Sequence, residues 1–301
     1  MLVSPGAKIN LGLYITGRRP DGYHDLLTAF YPLPLSDSLE IVLSGDTPDP
    51  SADVGAGKSP PVEQVVKAEK VPGLPLQFSA SGIPVGGELN SNLCIKAYQM
   101  LYSDYPQLPA MSMHLHKVVP TGAGLGGGSA DGALAIKVMN QLGELNLPET
   151  ELLAYAAKLG SDCPFFIRNT PQLATGRGEI LSPLAVSLTG YRLVLVTPHI
   201  HIPTRLAFSQ IEPSPGPGIE KLSATLKEGP ASWKETLNNQ FETSVFQSFP
   251  VLKKIKDQLY ELGASYASMT GSGSAIYALF DPNEPCNTSQ LNHYQLYTWI
   301  L

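Results

Sequence analysis

The chain has 301 residues, 43% of them hydrophobic and 15% charged, with a formal net charge of −6. That length allows one large domain or two medium ones with a buried core, and the acidic balance argues against broad nucleic-acid binding, which draws on basic surface. No apolar run approaches a membrane span, and Cys94, Cys163 and Cys286 are too few and too far apart for a disulfide frame or a cysteine zinc site.

The N-terminus, Met-Leu-Val-Ser-Pro-Gly-Ala-Lys, lacks the basic stretch and apolar core of a signal peptide, so a cytoplasmic protein with reduced thiols is expected. Ala7 to Ile15 alternates as a strand, with Ile9, Leu11, Leu13 and Ile15 on one face. Leu39 to Leu43 reads as a second short strand. From Gly45 to Pro75 the composition turns to Pro, Gly, Ser, Asp and Ala, which predicts a long surface loop or a mobile insertion. Inside it, Gly57-Lys58-Ser59 copies the tail of a Walker A loop. Ala52 stands where the first glycine belongs, however, and Pro60-Pro61 disfavours the helix that must follow, so a solvated loop is the better reading.

Leu76 to Ser81 returns to strand-like alternation, and Leu93, Ala97 and Leu101 set a helix over Asn92 to Tyr102. Met111, Met113 and Leu115 then alternate as a strand that leads into Pro-Thr-Gly-Ala-Gly-Leu-Gly-Gly-Gly-Ser-Ala-Asp at residues 120–131. After it, Ala133, Leu134, Val138, Leu142 and Leu145 recur at helical spacing. A glycine-rich loop thus opens into a helix N-terminus. Glycine permits positive φ and close backbone approach, and the first helical turn has unpaired N–H groups and a partial positive charge. Together they predict a phosphate site; a purely structural turn is the plain alternative.

Further helices are expected over Glu149 to Leu159 and Val245 to Leu262, and strands over Arg192 to Thr197 and Ala275 to Phe280. Gly271-Ser272-Gly273 forms a second glycine turn. His114 with His116, and His199 with His201, could ligate metal as H-x-H pairs, but exposed strand faces explain them better because no third ligand is near in sequence. Strands mixed with helices, and a change of topology near residue 165, give an α+β chain with two lobes.

Four segments accompany the loop in fixed order: Ser4-Pro5-Gly6-Ala7-Lys8-Ile9-Asn10-Leu11, Arg19-Pro20-Asp21-Gly22-Tyr23-His24, Leu159-Gly160-Ser161-Asp162-Cys163-Pro164-Phe165-Phe166 and Met269-Thr270-Gly271-Ser272-Gly273-Ser274. With the loop, which matches P-x-x-x-G-L-G-[GS]-S-[SA] over Pro120 to Ala130, they resemble the GHMP kinases. The opening A-K-[IL]-N-L and the P-D-G-Y-H segment narrow the resemblance to the branch acting on a cytidine diphosphate-linked polyol in isoprenoid synthesis. It covers Ser4 to about Phe280 and fails across Gly45 to Pro75.

The resemblance implies an N-terminal α/β lobe over residues 1–168 with the phosphate loop, and a ferredoxin-like C-terminal lobe over 169–301. It implies transfer of a phosphoryl group from ATP, accompanied by Mg²⁺ whose protein ligands are unassigned, to the 2-hydroxyl of the polyol. Lys8 and Asp162 would be the catalytic pair, with Asn10 bonding the substrate. Tyr23 would stack on cytosine, His24 would bond its polar edge, and Thr204 and Phe208 would form the other wall. Pro120, Thr121, Gly122, Ala123, Gly124, Leu125, Gly126, Gly127, Gly128, Ser129 and Ala130 would cradle the phosphates, with Lys117, Asn92 and Leu93 near the nucleotide. Gly271, Ser272 and Gly273 would close over phosphates or substrate. Small molecules would be its partners, without nucleic acid or membrane, and the chain would be a monomer or weak homodimer.

Read on residues alone, Asp162 suits a helix cap or turn, Tyr23 and His24 suit turn residues after Asp21-Gly22, and Lys8 suits an edge strand. Two positions depart from the family: Ala130 replaces a second serine, and Asn239-Gln240-Phe241-Glu242 replaces N-D-[FL]-E. A homoserine- or mevalonate-type kinase, or a non-catalytic nucleotide-binding protein on the same scaffold, are the rival readings.

Overall fold

A computed structural model describes residues 1–44, 68–209, 211–284 and 286–301. The chain is α+β and packs into two compact units that interleave along the sequence. The first comprises Met1–Pro5, Leu35–Val119 and Gly128–Ile167; the second comprises Gly6–Pro34, Pro120–Gly127 and Arg168–Leu301.

The first unit holds a five-stranded sheet in the order Leu2–Val3, Ser38–Leu43, Met111–Lys117, Leu76–Gly82, Glu69–Lys70. Leu76–Gly82 runs parallel to Met111–Lys117; the other pairs are antiparallel. Register puts Leu39 opposite Leu115 and Ile41 opposite Met113, so one face is apolar and buried. Period-two alternation puts Glu40, Ser112 and His114 on the other face. Helix Leu93–Asp104 begins where Asn92 accepts the N–H of Cys94 at 2.8 Å, a cap worth about 1 kcal/mol. Helices Gly127–Leu142 and Glu149–Leu159 follow. Gly132 lets three helices approach: a methyl there would lie 2.7 Å from Leu159 and 2.8 Å from Leu93.

The second unit holds two four-stranded sheets. One runs Gly6–Arg18, His24–Ser36, Gln172–Thr175, Ile180–Pro183, the last two residues of its second strand falling in the first unit. The other, Tyr266–Met269, Ile276–Phe280, Arg192–Thr197, Gln295–Ile300, is wholly antiparallel. Its core gathers Val194, Val196, Ile276, Ala278 and Phe280 with Leu252, Ile255 and Leu259 of helix Pro250–Glu261.

Several elements differ from the sequence reading. Gly6 to Ile15 is buried on both faces, so its alternation separates purely apolar side chains from those with polar groups, not buried from exposed ones. The helix expected over Val245 to Leu262 is two, Glu242–Ser248 and Pro250–Glu261. Phe249 closes the first by donating to Val245 O, and Pro250, which has no N–H to lose, starts the second. Leu145 falls beyond its helix. Within the loop expected from Gly45 to Pro75, Glu69–Lys70 is a strand; residues 45–67, with Gly57-Lys58-Ser59, lie outside the described residues. His199 and His201 follow strand Arg192–Thr197 instead of sharing a strand face. His114 and His116 do share one, tied through serines: His114 bonds Ser79 and Ser81, and His116 bonds Ser81.

Candidate active site

In the second unit, Lys8 and Asn10 point the same way from strand Gly6–Arg18, since alternate residues share a face. Both are buried, at 3% and 1% exposure. Lys8 Nζ donates to Asn10 Oδ1 at 2.7 Å and lies 5.1 Å from the Phe30 ring centre. An ammonium only donates, so the Asn10 oxygen faces it and the amide nitrogen turns to Thr28 Oγ1 at 3.0 Å. Thr28 in turn donates to Gly12 O. Thr270 completes the group: its Oγ1 accepts the Asn10 N–H at 3.1 Å, with Asn10 Oδ1 and Gly124 O both 3.2 Å from it as acceptors for its single proton. Asn10 thus orients the lysine.

The glycine loop is turned by the same unit. Gly122, Gly124 and Gly126 have φ of +68°, +79° and +72°, alternating with residues of ordinary φ. Such alternation makes a concave nest of N–H groups. The carbonyls of Ala123, Gly124 and Leu125 accept from Ala275 N–H, Thr270 Oγ1 and Lys8 N–H, at 3.1, 3.2 and 2.9 Å. A planar trans peptide points its N–H opposite its C=O. The N–H groups of Gly124, Leu125 and Gly126 therefore face away from these partners, and among the described residues they donate to nothing. A side chain at Gly124 would collide with the Thr270 carbonyl. A methyl at Gly122 would come within 2.7 Å of His201 Nδ1, and one at Gly271 within 3.1 Å of Gly124 Cα. Asn239 fixes this second turn by donating to Met269 O and Gly271 O, each at 2.8 Å.

The residues expected at the base also lie in this unit. His24 stacks on Phe208, ring centres 5.0 Å apart and planes at 27°, and Phe208 meets Phe241 edge-on. The His24 Nε2 atom is buried without a hydrogen-bond partner among the described residues. Burial first, then the charge of Arg18, lowers the His24 pKa from 6.5. Tyr23 is exposed and carries the Arg177 guanidinium over one ring face at 4.9 Å. Thr204, at the start of helix Thr204–Ser209, has its hydroxyl 3.5 Å from that of Ser272.

In the first unit, helix Gly127–Leu142 opens with Gly127, exposed Gly128, half-buried Ser129 and fully buried Ala130. Its first N–H groups have no partner within the helix. Asp162 lies half-buried in the turn between helices Glu149–Leu159 and Cys163–Arg168. The adjacent Cys163 thiol reports what surrounds it. Burial pushes its pKa up to about 12, the Ser129 hydroxyl lowers it, and the Asp162 charge raises it. Ser129 and Asp162 therefore share one neighbourhood. Asn92, besides capping its helix, lines a cleft of about 300 Å³ with Phe78, Ala80, Val85 and Leu89, at the lower end of small-ligand sites.

Lys117, expected near the nucleotide, is enclosed by carboxylates. Its ammonium is 2% exposed and held by Asp37 and by Asp131 Oδ2, the latter at 2.7 Å. Burial would lower its pKa, but the charges of Asp131 and Asp37 outweigh that and raise it. Asp131 is raised to about 7, by burial above all, with Lys117 pulling it down and Asp37 pushing it up.

Gln240 has a physical reason to replace an aspartate: its oxygen accepts the Ile15 N–H at 2.7 Å while its nitrogen donates to Glu212 O at 3.0 Å, and a carboxylate cannot donate. Thr270, Asn239 and Asp131 lie in recognisable motifs, but the motifs do not announce the partners these side chains take, and Arg177 and Asp37 carry no local signal.

The family model of the GHMP kinases N terminal domain matches residues 92–169, and that of the GHMP kinases C terminal matches residues 222–285. A 4-diphosphocytidyl-2-C-methyl-D-erythritol kinase of Bacteroides fragilis (strain YCH46) is 44% identical over 285 residues, covering 94% of this chain and 93% of its own. One of Cytophaga hutchinsonii is 39% identical over 282 residues, covering 93% of each chain. A crystal structure of 4-(cytidine 5'-diphospho)-2C-methyl-D-erythritol kinase superposes with a TM-score of 0.74 at 28% identity, over 99% of this chain and 98% of the other. Homoserine kinase from Cytophaga hutchinsonii shares the fold, with a TM-score of 0.62 at 13% identity over 98% of this chain and 94% of its own.

Proposed function

We infer the activity from one premise: the chain belongs to the 4-diphosphocytidyl-2-C-methyl-D-erythritol kinases, a branch of the GHMP kinases. It is an ATP-dependent kinase that phosphorylates the 2-hydroxyl of 4-diphosphocytidyl-2-C-methyl-D-erythritol, giving the 2-phosphate in isoprenoid biosynthesis. The observation that carries the phosphate chemistry is the loop with three carbonyls bonded inward and the N–H groups of Gly124, Leu125 and Gly126 left to an outside acceptor. A triphosphate supplies such acceptors, and the start of helix Gly127–Leu142 adds further N–H groups and a partial positive charge.

In this reading Asp162 accepts the hydrogen bond of the 2-hydroxyl and aims its oxygen at the γ-phosphorus. A carboxylate is too weak a base to strip an alcohol beforehand. The proton therefore passes to Asp162 as the new P–O bond forms and the bond to ADP breaks. The transition state is loose, so placement and charge compensation supply most of the rate. Lys8, fixed by Asn10, offers its positive charge to the reacting oxygens. Mg²⁺ neutralises phosphate charge when bound. No cluster of three His, Cys, Asp or Glu suited to a metal occurs among the described residues, so ATP oxygens and water would be its main ligands, with Ser129 the hydroxyl at the helix start.

His24 and Phe208 support the cytidine side: an aromatic platform beside a buried ring nitrogen without a partner suits a base with a polar edge. Tyr23, with Arg177 on one face, has the other face for stacking. The cleft at Asn92 is the candidate seat of adenine. The three thiols, none in a disulfide, fit a reducing compartment.

The test is ADP release with 4-diphosphocytidyl-2-C-methyl-D-erythritol, homoserine and mevalonate as acceptors. Turnover with the cytidyl substrate, inhibited by cytidine diphosphate, is expected. Preference for another acceptor would overturn the substrate assignment, and no turnover with any of them would favour a non-catalytic nucleotide-binding role.

A further inference from the structure

The chemistry above leaves the buried Asp37–Lys117–Asp131 group without a task. Lys117 ends strand Met111–Lys117, and its ammonium contacts one oxygen of each carboxylate. The other Asp37 oxygen accepts the N–H groups of Val118 and Val119, at 2.5 and 2.8 Å. Asp131 lies early in helix Gly127–Leu142. The three residues are 0%, 2% and 3% exposed, and all belong to the first unit. The chain leaves that unit after Val119 and re-enters it at Gly128. The group therefore ties the point of exit to the point of re-entry, and the glycine loop is the stretch between.

Stability is a poor reason for such a group. Two carboxylates on one ammonium bury a net negative charge, and Asp131 Oδ1 has no hydrogen-bond partner among the described residues. Buried ion networks are often replaceable by packed neutral side chains without loss of stability. What the network does supply is geometry: two ion pairs and two N–H bonds with fixed directions. Lys117 itself is enclosed, with its charge already shared between two carboxylates.

We propose that Asp37, Lys117 and Asp131 are positioning residues for ATP: they hold the two ends of the glycine loop at the separation at which its N–H groups meet the triphosphate, and Lys117 acts through the loop without touching the nucleotide. The proposal rests on the kinase reading. It deepens it by assigning ATP affinity to residues outside the phosphate cradle.

The decisive variant is the full chain with Lys117→Met and Asp131→Asn together. It cuts the tie but keeps the net charge of the group, because Asp37 remains with its two N–H donors. Asp131→Asn alone is the milder companion. ATP affinity is measured by calorimetry and the KM for the alcohol substrate by ADP release, with thermal melting as the fold check. Both variants are expected to melt cooperatively. ATP should bind the double variant at least tenfold more weakly, while the KM for the alcohol stays within twofold. A folded double variant with wild-type ATP affinity, or one that loses both substrates equally, overturns the proposal. So does failure of both variants to fold, which would make the group a stability element. A wild-type chain that does not bind ATP would sink the kinase reading instead.

Discussion

Gly128→Ala separates a phosphate loop from a structural turn, because the two readings predict different signs for different measurements. Gly128 is exposed, lies in the first turn of helix Gly127–Leu142, and a methyl added to it meets nothing within 4 Å. Its φ is not among the left-handed ones. Replacing such a glycine by alanine lowers the entropy of the unfolded chain and stabilises the fold by about 0.4–1 kcal/mol. For a protein of this size that raises Tm by about 1–3 °C. In the proposed complex the same methyl would stand where a phosphate oxygen approaches the first-turn N–H groups. Loss of one charge-assisted hydrogen bond costs about 1.5–3 kcal/mol, which weakens ATP roughly tenfold to a hundredfold. Melting without nucleotide gives the first quantity, and calorimetric titration with ATP gives the second. Higher Tm with weaker ATP binding is expected. Higher Tm with ATP affinity within twofold of wild type would refute the reasoning, because phosphate would then not pack on the helix start.

Three other outcomes are expected. Thr270→Val strips the hydroxyl from the Asn10 N–H and the Gly124 carbonyl; it should destabilise by about 1–3 kcal/mol and lower kcat about tenfold or more, with Thr270→Ser restoring most of both, as melting and ADP release will show. Asp162→Asn should reduce kcat by about 10²–10⁴-fold while calorimetry finds ATP binding within threefold of wild type. His24 has its pKa lowered from 6.5 by burial and then by Arg18. The unfolded chain therefore binds more protons between the two values, so the contribution of His24 to stability is present above 6.5 and is lost as pH falls through the lower folded value. The KM for the cytidyl substrate should rise over the same acidic interval, and His24→Gln should flatten that rise.

Local periodicity reached the elements whose neighbours agree with their pattern. Arg192–Thr197 and Glu149–Leu159 occur with the bounds expected, and Asn92 stands at its helix start. It failed at Phe249–Pro250, where the apolar spacing runs on although the ring of Pro250 starts a new helix. The glycine loop was legible because its backbone takes positive φ, and positive φ selects a visible residue type. The partners of Lys117 are hidden for the opposite reason. A lysine beside the loop is expected near the nucleotide, and nothing local announces that Asp37, eighty residues earlier, pairs with it. The internal partners of Asn10, Thr28 and Thr270, are likewise distant in sequence and invisible to local pattern.

The interleaving of the units has a consequence for how the chain is made. A ribosome has released every segment of the first unit once Ile167 is out, while most of the second, Arg168–Leu301, is still to come. Strands Gly6–Arg18 and His24–Ser36 emerge long before Gln172–Thr175 and wait for it to extend their sheet. Until then they form at best a lone apolar hairpin, which is marginal in water and prone to stray pairing. Nascent chains stalled before about residue 170 should therefore engage holding chaperones through these two strands, and a fragment starting at residue 169 would lack the strands it must close upon.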